Sequence, residues 1–220
     1  MTTPFRILII DDHPSMIEGY KSILTTKYSI ESLEVTEAYN CEMAYQYITQ
    51  TIRPFDIVLL DLALPAFEPA KLFSGEDLAK LIQKVANETK IIMLTSHTEA
   101  FILYNLIRKT NPAAVLVKSD FRSDEFLKAF ECVLDGETYY STTASKSLKE
   151  VSMNNDALDS YDRKIISLLA KGIKTKNLPD HIGISVSAID KRKAQIKVFF
   201  GIHKGNDEDV IREARKRGLV

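Results

Sequence analysis

Cysteine is scarce in this sequence of 220 residues. The two cysteines, Cys41 and Cys132, lack the C-x-x-C spacing of a metal site. We interpret both as free thiols of a cytoplasmic protein.

Long hydrophobic runs are absent as well. Hydrophobic residues make up 45% of the chain, but no window approaches the roughly 18–20 uninterrupted apolar residues of a membrane span. The first residues, MTTPFR, contain no apolar signal core. We therefore expect a soluble, cytoplasmic protein that does not bind membranes, with a length that suits two domains.

The net charge of −1 hides an uneven distribution. Residues 1–135 carry a net charge of −6, residues 136–157 carry −1, and residues 158–220 carry +6. An acidic first part joined to a basic last part indicates a nucleic-acid-binding segment at the basic end.

Residues 1–135 alternate short apolar runs with longer amphipathic segments. The apolar runs predict strands at 6–10, 33–38, 56–60, 90–95 and 114–117. The amphipathic segments predict helices at 15–26, 41–51, 75–87, 99–110 and 123–134. Five successive βα units predict an α/β domain with a five-stranded, parallel, doubly wound sheet.

The pattern changes after residue 135. Residues 136–157 are rich in Ser, Thr, Asn and Lys, which predicts a linker that is partly helical. Residues 158–220 contain no strand pattern and predict a small all-α domain, with helices at 160–171, 175–182, 186–200 and 207–217.

Polar side chains stand at the carboxyl ends of the predicted strands. Asp11 and Asp12 follow the first strand, Asp61 the third, Thr95 the fourth and Lys118 the fifth. Parallel strands bring these ends to one edge of the sheet. Three adjacent carboxylates raise one another's pKa unless a cation is present, and oxygen ligands favour Mg²⁺. The set is typical of phosphoryl transfer to Asp61 as nucleophile, with Mg²⁺ and Lys118 neutralising the phosphoryl oxygens.

Four stretches, ILIIDDHPSM, DIVLLDLALP, IIMLTSH and VLVKSD, resemble the receiver domain of two-component response regulators. The resemblance implies a flavodoxin-like fold and a phosphate transfer from a sensor histidine kinase to Asp61. Thr95 and Lys118 match the conserved hydroxyl and lysine of that family. The implied Mg²⁺ ligands are Asp12 directly, Asp11 largely through water, the Asp61 carboxylate and the backbone carbonyl of Ala63.

Two features depart from the family pattern. Val115 occupies the position of the usual aromatic switch residue, so we expect transmission through the loop after Thr95 or the helix that follows. Residues 66–74 are inserted before Gly75, and we interpret them as a flap near Asp61. Three roles stay open: contact with the kinase, slower hydrolysis of the phosphate, or none beyond that of a surface insertion. His13 lacks a second histidine at ligand spacing, and we interpret it as a surface or capping residue.

Residues 158–202 have the spacing of a helix-turn-helix and resemble the LuxR-type output domain. In the helix at 186–200, Ile189, Ile196 and Phe200 are expected to face the core. Asp190 departs from the lysine common in that family and would either repel phosphate or accept from a cytosine amino group. The predicted DNA-binding residues are Lys174, Lys176, Ser185, Ser187, Lys191, Arg192, Lys193 and Lys197.

The last helix, from Asp207 to Arg217, resembles the dimerisation helix of the same family, which predicts a homodimer on a two-fold symmetric DNA site. The sequence therefore predicts a DNA-binding transcriptional response regulator, not an enzyme, controlled by phosphorylation of Asp61. One alternative is a phosphorylation-independent DNA-binding or adaptor protein that uses the receiver for docking or dimerisation, which Val115 favours. A free-standing enzyme is disfavoured because no G-x-G-x-x-G or Walker motif is present.

Overall fold

The computed structural model describes residues 4–155, 158–202 and 205–220. The chain forms two compact units. The first comprises the residues up to Thr98 together with Asn105–Ser145, and the second comprises Glu99–Tyr104 together with the residues from Lys146 onwards. Within the described residues, no helix is both long enough and apolar enough to cross a bilayer.

The first unit is built on a sheet of six parallel strands. They are β1 (Phe5–Ile10), β2 (Leu33–Ala38), β3 (Ile57–Asp61), β4 (Lys90–Thr95), β5 (Ala114–Val117) and β6 (Tyr139–Tyr140). Their order is β2-β1-β3-β4-β5-β6, and every neighbouring pair is parallel. The predicted parallel α/β fold is confirmed.

The number of strands differs from the prediction of five. Tyr139 and Tyr140 pair with Ala114 and Val115 at the edge of the sheet. A strand of two residues is too short to show a period of two. The segment at 136–157 was expected to be a partly helical linker. It contains both β6 and a helix, α6 (Thr142–Asn155).

Five further helices alternate with the strands along the chain: α1 (Pro14–Thr25), α2 (Cys41–Gln50), α3 (Gly75–Val85), α4 (Ala100–Thr110) and α5 (Ser123–Leu134). The residues of α4 are divided between the two units after Tyr104. Strands β3 and β5 are buried throughout, as expected for a parallel sheet covered on both faces. Local chemistry sets some helix starts: the Asn40 side chain accepts from the Met43 N–H at 2.8 Å and so caps α2.

The second unit is helical. Besides Glu99–Tyr104 and the part of α6 from Lys146, it contains α7 (Ser160–Ala170), a 3-10 turn (Thr175–Asn177), α8 (Leu178–Ile182), α9 (Val186–Phe200) and α10 (Asp207–Lys216). The core includes Ile165, Leu178, Ile189, Ile196 and Val210. The helices predicted from periodicity therefore have their apolar faces in one core. Their ends lie within one residue of the prediction, except that α8 begins three residues later than predicted, after the 3-10 turn.

The turn between α8 and α9 depends on glycine. Gly183 ends α8 in the left-handed region with φ of 82°, which costs glycine little. The Ser185 hydroxyl then accepts from the Ala188 N–H at 3.2 Å and caps α9. These two residues fix where the second helix of the helix-turn-helix begins.

Candidate functional site

The structure brings the strand-end residues of the first unit together. The Lys118 ammonium lies 2.8 Å from Asp11 Oδ2 and 3.0 Å from Asp61 Oδ2. Asp11 and Asp61 are almost fully buried, with 0% and 4% exposure. Two buried carboxylates thus share one cation, which compensates their mutual repulsion.

Burial dominates the electrostatics of Asp61. It raises the pKa of Asp61 above its ordinary value, and the attraction of Lys118 offsets only part of that effect. Burial would lower the pKa of Lys118, but hydrogen bonds to Asp11 and Asp61 outweigh it and raise that pKa. A further cation at this site would lower the pKa of Asp61 and favour the nucleophilic carboxylate.

The donor set fits a hard divalent cation. One ligand atom from each of Asp11, Asp12, His13 and Asp61 lies within 4.8 Å of the others. The three carboxylates supply the oxygen ligands that Mg²⁺ prefers. His13 is 66% exposed, and its Nδ1 lies 2.8 Å from Asp12 Oδ1, so it pairs with a carboxylate. Ala63 is exposed in the loop after β3, and the role of its carbonyl stays a prediction.

Thr95 is fully buried at the end of β4. Its hydroxyl oxygen accepts from the His97 N–H at 3.0 Å, and its carbonyl accepts from the Lys118 N–H at 2.7 Å. Because the hydroxyl accepts from His97, its own hydrogen can still be donated. Val115 is fully buried within β5, so the switch position holds a packed aliphatic side chain.

The insertion at 66–74 is a compact loop beside α2. Phe67 and Leu72 form an antiparallel bridge, and the Phe67 ring lies 5.7 Å from the Tyr45 ring. The loop ends at Gly75, where a Cβ atom would lie 2.1 Å from the Asp61 carbonyl oxygen. The close approach of α3 to β3 therefore requires glycine at this position.

Three of the predicted DNA-binding cations are paired within the second unit. Arg192 contacts Asp159 at 2.7 Å and Asp162 at 2.9 Å. Lys193 lies 2.7 Å from Asp207, and Lys197 donates to the Gly205 carbonyl at 2.7 Å. Asp162 is 4% exposed, so Arg192 compensates a buried charge. Their roles in DNA binding stay predictions.

The outer face of α9 carries a different set of residues. Ser187 and Lys191 are exposed, as are Asp190, Ala194 and Gln195. The spacing of 187, 191 and 195 places them on one face of the helix. Lys174 and Lys176 are also exposed. The sequence analysis did not place Ala194 and Gln195 on this exposed face, although their i, i+4 spacing from Asp190 and Lys191 could have indicated it.

The apolar side of the predicted dimerisation helix, α10, is buried within its own unit. Val210 and Ala214 of α10 are buried in the helical core. Glu208, Arg212 and Arg215 are exposed. The surface that α10 offers is therefore charged, acidic in its first turn and basic in its last.

Comparison with known protein families gives a match over residues 7–131 to the family described as response regulator receiver domain. Among individual proteins, the transcriptional regulatory protein MctR of Rhizobium johnstonii is 26% identical over 217 residues, which cover 98% of this chain and 95% of MctR. The oxygen regulatory protein NreC of Staphylococcus epidermidis is 28% identical over an alignment of 228 residues, gaps included, which covers 98% of this chain and 99% of NreC.

Solved structures of RcsB share the fold. A structure of RcsB from Salmonella typhimurium matches with a TM-score of 0.73 and 19% identity, covering 96% of this chain and 99% of that chain. A structure of two RcsB dimers bound to two parallel DNAs matches with a TM-score of 0.67 and 19% identity, covering 97% of this chain and 98% of that chain.

Proposed function

The chain belongs to the response regulator receiver family, and from this premise we propose that it is a cytoplasmic transcription regulator that binds DNA under the control of Asp61 phosphorylation. The observation that carries the proposal is the contact of Lys118 with both Asp11 and Asp61. The relatives MctR and NreC are named as regulators and not as enzymes, which supports a regulatory role.

The chemistry at Asp61 follows from its surroundings. A carboxylate oxygen of Asp61 would attack the phosphorus of a phosphohistidine in the sensor kinase, forming an O–P bond while the N–P bond breaks. Lys118 would contact a phosphoryl oxygen, and the Thr95 hydroxyl would donate to another. Asp11, Asp12, Asp61 and the Ala63 carbonyl would hold Mg²⁺, which would supply positive charge against the phosphoryl oxygens.

Residues 158–220, which lie within the second unit, are the proposed DNA-binding domain. They follow a proposed receiver domain at 1–135 and a linker segment at 136–157. The net charge of +6 on residues 158–220 favours a phosphate backbone. The exposed face of α9, with Ser187, Asp190, Lys191 and Gln195, is the surface that fits a major groove. Lys174 and Lys176 are available for phosphate contacts. Ser185 acts through the cap that orients α9.

The proposed active form is a homodimer on a two-fold symmetric DNA site, since the RcsB neighbour binds DNA as dimers. The helix from Asp207 to Arg217 is the proposed dimer contact. Its acidic first turn and basic last turn are self-complementary when two copies pack antiparallel about a two-fold axis.

A second candidate is a receiver that docks partners without phosphorylation. Val115, fully buried and aliphatic, favours it because no aromatic ring occupies the switch position. The two candidates differ in whether a phosphate mimic changes DNA binding.

Duplexes selected from a random library by the full-length protein would provide a DNA probe. Affinity for these duplexes and the oligomeric state are then measured with and without beryllofluoride, for wild type and Asp61→Asn. We expect a response in wild type that the variant lacks. Equal affinity and size in both states of the wild type would support the phosphorylation-independent candidate.

A further inference from the structure

The carboxylate of Asp120 binds the start of α6. It accepts hydrogen bonds from the Ser141 hydroxyl at 2.9 Å, the Thr143 N–H at 2.7 Å and the Thr143 hydroxyl at 2.8 Å. Asp120 lies on the loop between β5 and α5, whereas its partners follow β6. One ionised side chain thus joins two segments that are 21 to 23 residues apart.

This arrangement replaces the usual capping of a helix. The residue before α6 is Ser141, which normally would cap the helix with its own side chain. Instead its hydroxyl, fully buried, accepts from the Val117 N–H at 3.1 Å. Since β6 ends at Tyr140, the last residue of β5 needs this acceptor. The N-terminus of α6 therefore takes its acceptor, and a favourable negative charge, from Asp120.

The same loop holds the lysine of the acidic site. The Asp120 N–H donates to the Val117 carbonyl at 2.8 Å, which closes a tight turn that contains Lys118. The Lys118 N–H donates to the Thr95 carbonyl at 2.7 Å. Within this turn, only one residue separates Lys118 from Asp120, so a shift of the Lys118 backbone moves the carboxylate that caps α6.

We propose that Asp120 is a positioning residue that couples the state of Lys118 to the N-terminus of α6. The inference rests on the proposed phosphorylation of Asp61. When Lys118 leaves Asp11 to contact the phosphoryl group, the turn moves and the hydrogen bonds of Asp120 to Thr143 lengthen. Since α6 begins in the first unit and continues from Lys146 in the second, this contact provides a transmission route that needs no aromatic side chain at Val115.

Hydrogen exchange of the full-length protein tests the coupling, with beryllofluoride as the probe. In wild type, we expect the amides at the start of α6, Thr143 included, to exchange about five- to tenfold faster with the mimic than without it, the size typical of a lost cap. In Asp120→Asn, exchange is fast in both states and the difference disappears. Asp120→Glu, which keeps the charge, restores part of the difference.

The matched control is Asp124→Asn, an exposed carboxylate in the first turn of α5, which keeps the wild-type difference. A purely structural role for Asp120 predicts faster exchange in both states with the difference retained, and that result overturns the proposal. If Asp120→Asn fails to fold, Thr143→Val, which removes the hydrogen bond from the Thr143 hydroxyl to Asp120, should reduce the wild-type difference, and an undiminished difference overturns the proposal.

Phosphorylation measured by mass separates this inference from the function on which it rests. We expect Asp120→Asn to accept phosphate from acetyl phosphate as wild type does. A wild type that takes up phosphate and shows unchanged α6 exchange overturns the coupling alone. A wild type that takes up no phosphate overturns the proposed function, and the coupling falls with it.

Discussion

The Lys118 ammonium lies 3.0 Å from the carboxylate of Asp61, at a site where both side chains are largely buried. The distance is that of a charge-assisted hydrogen bond. The lysine also contacts Asp11, so its single charge is divided between two anions. The first prediction follows from this shared cation.

Lys118→Met would leave two buried carboxylates facing each other. We expect the variant to lose about 1–3 kcal/mol of unfolding free energy and to accept phosphate much more slowly. Urea denaturation and phosphate uptake measure the two effects. Lys90→Met, at an exposed lysine of β4, serves as the control. A variant as stable and reactive as this control would contradict the shared-cation account.

Gly75→Ala tests the close approach of α3 to the end of β3. A methyl group would lie 2.1 Å from the Asp61 carbonyl oxygen, so we expect a loss of about 1–3 kcal/mol and slower phosphorylation. Gly19→Ala is the matched control, since nothing lies within 4 Å of the added atom in α1. It should stabilise the protein by about 0.5–1 kcal/mol. Similar effects of both changes would refute the steric argument.

Arg192→Ala tests whether this residue stabilises the second unit. Asp162 would lose its cationic partner, and we expect a cost of about 1–3 kcal/mol at neutral pH. Burial alone would raise the pKa of Asp159, but the Asp162 backbone N–H and Arg192 outweigh it, and that pKa is lowered. A lowered carboxyl pKa contributes stability above the unfolded pKa and loses it as the pH falls through the folded pKa.

The penalty of Arg192→Ala should therefore be largest at neutral pH and shrink as the pH falls below about 4, the ordinary pKa of aspartate. Thermal unfolding across this range measures it. The neighbouring exposed Lys191→Ala should leave the unfolding free energy within about 0.5 kcal/mol. If Arg192→Ala lowers the unfolding free energy equally at every pH, the ion pairs of Arg192 contribute little to stability.

Lys191→Ala should instead weaken DNA binding. If this side chain contacts one phosphate, we expect the slope of log affinity against log salt to fall by about 1. Asp190→Asn removes a negative charge from the same face and should strengthen binding to unselected duplexes, because repulsion from phosphate is lost. Titrations at several salt concentrations measure both. An unchanged slope for Lys191→Ala would exclude the phosphate contact.

The fold was predictable where the sequence pattern is strong. The buried run from Ile7 to Ile10 and its counterparts indicated parallel strands, and the carboxyl ends of these strands placed Asp11, Asp61 and Lys118 together. The strand Tyr139–Tyr140 was missed because two residues show no periodicity. Sequence patterns reveal helices of several turns and strands of several alternating residues, but not an edge strand of two residues.

Side-chain contacts between distant segments of the chain were also not predicted from the sequence. The contacts of Arg192 with Asp159 and of Asp120 with Thr143 join residues 33 and 23 positions apart. Charge and helical spacing indicated that Arg192 was polar and outward-facing, but not which partner it meets. Such pairs depend on how helices pack, and periodicity along one helix carries no information on that packing.

The most direct test of the central claim is the intact mass of the protein after incubation with acetyl phosphate and Mg²⁺, compared with Asp61→Asn and with Asp124→Asn. The account predicts one added phosphoryl group on wild type and on Asp124→Asn, and none on Asp61→Asn. No added mass on wild type, or equal uptake by Asp61→Asn, would contradict it.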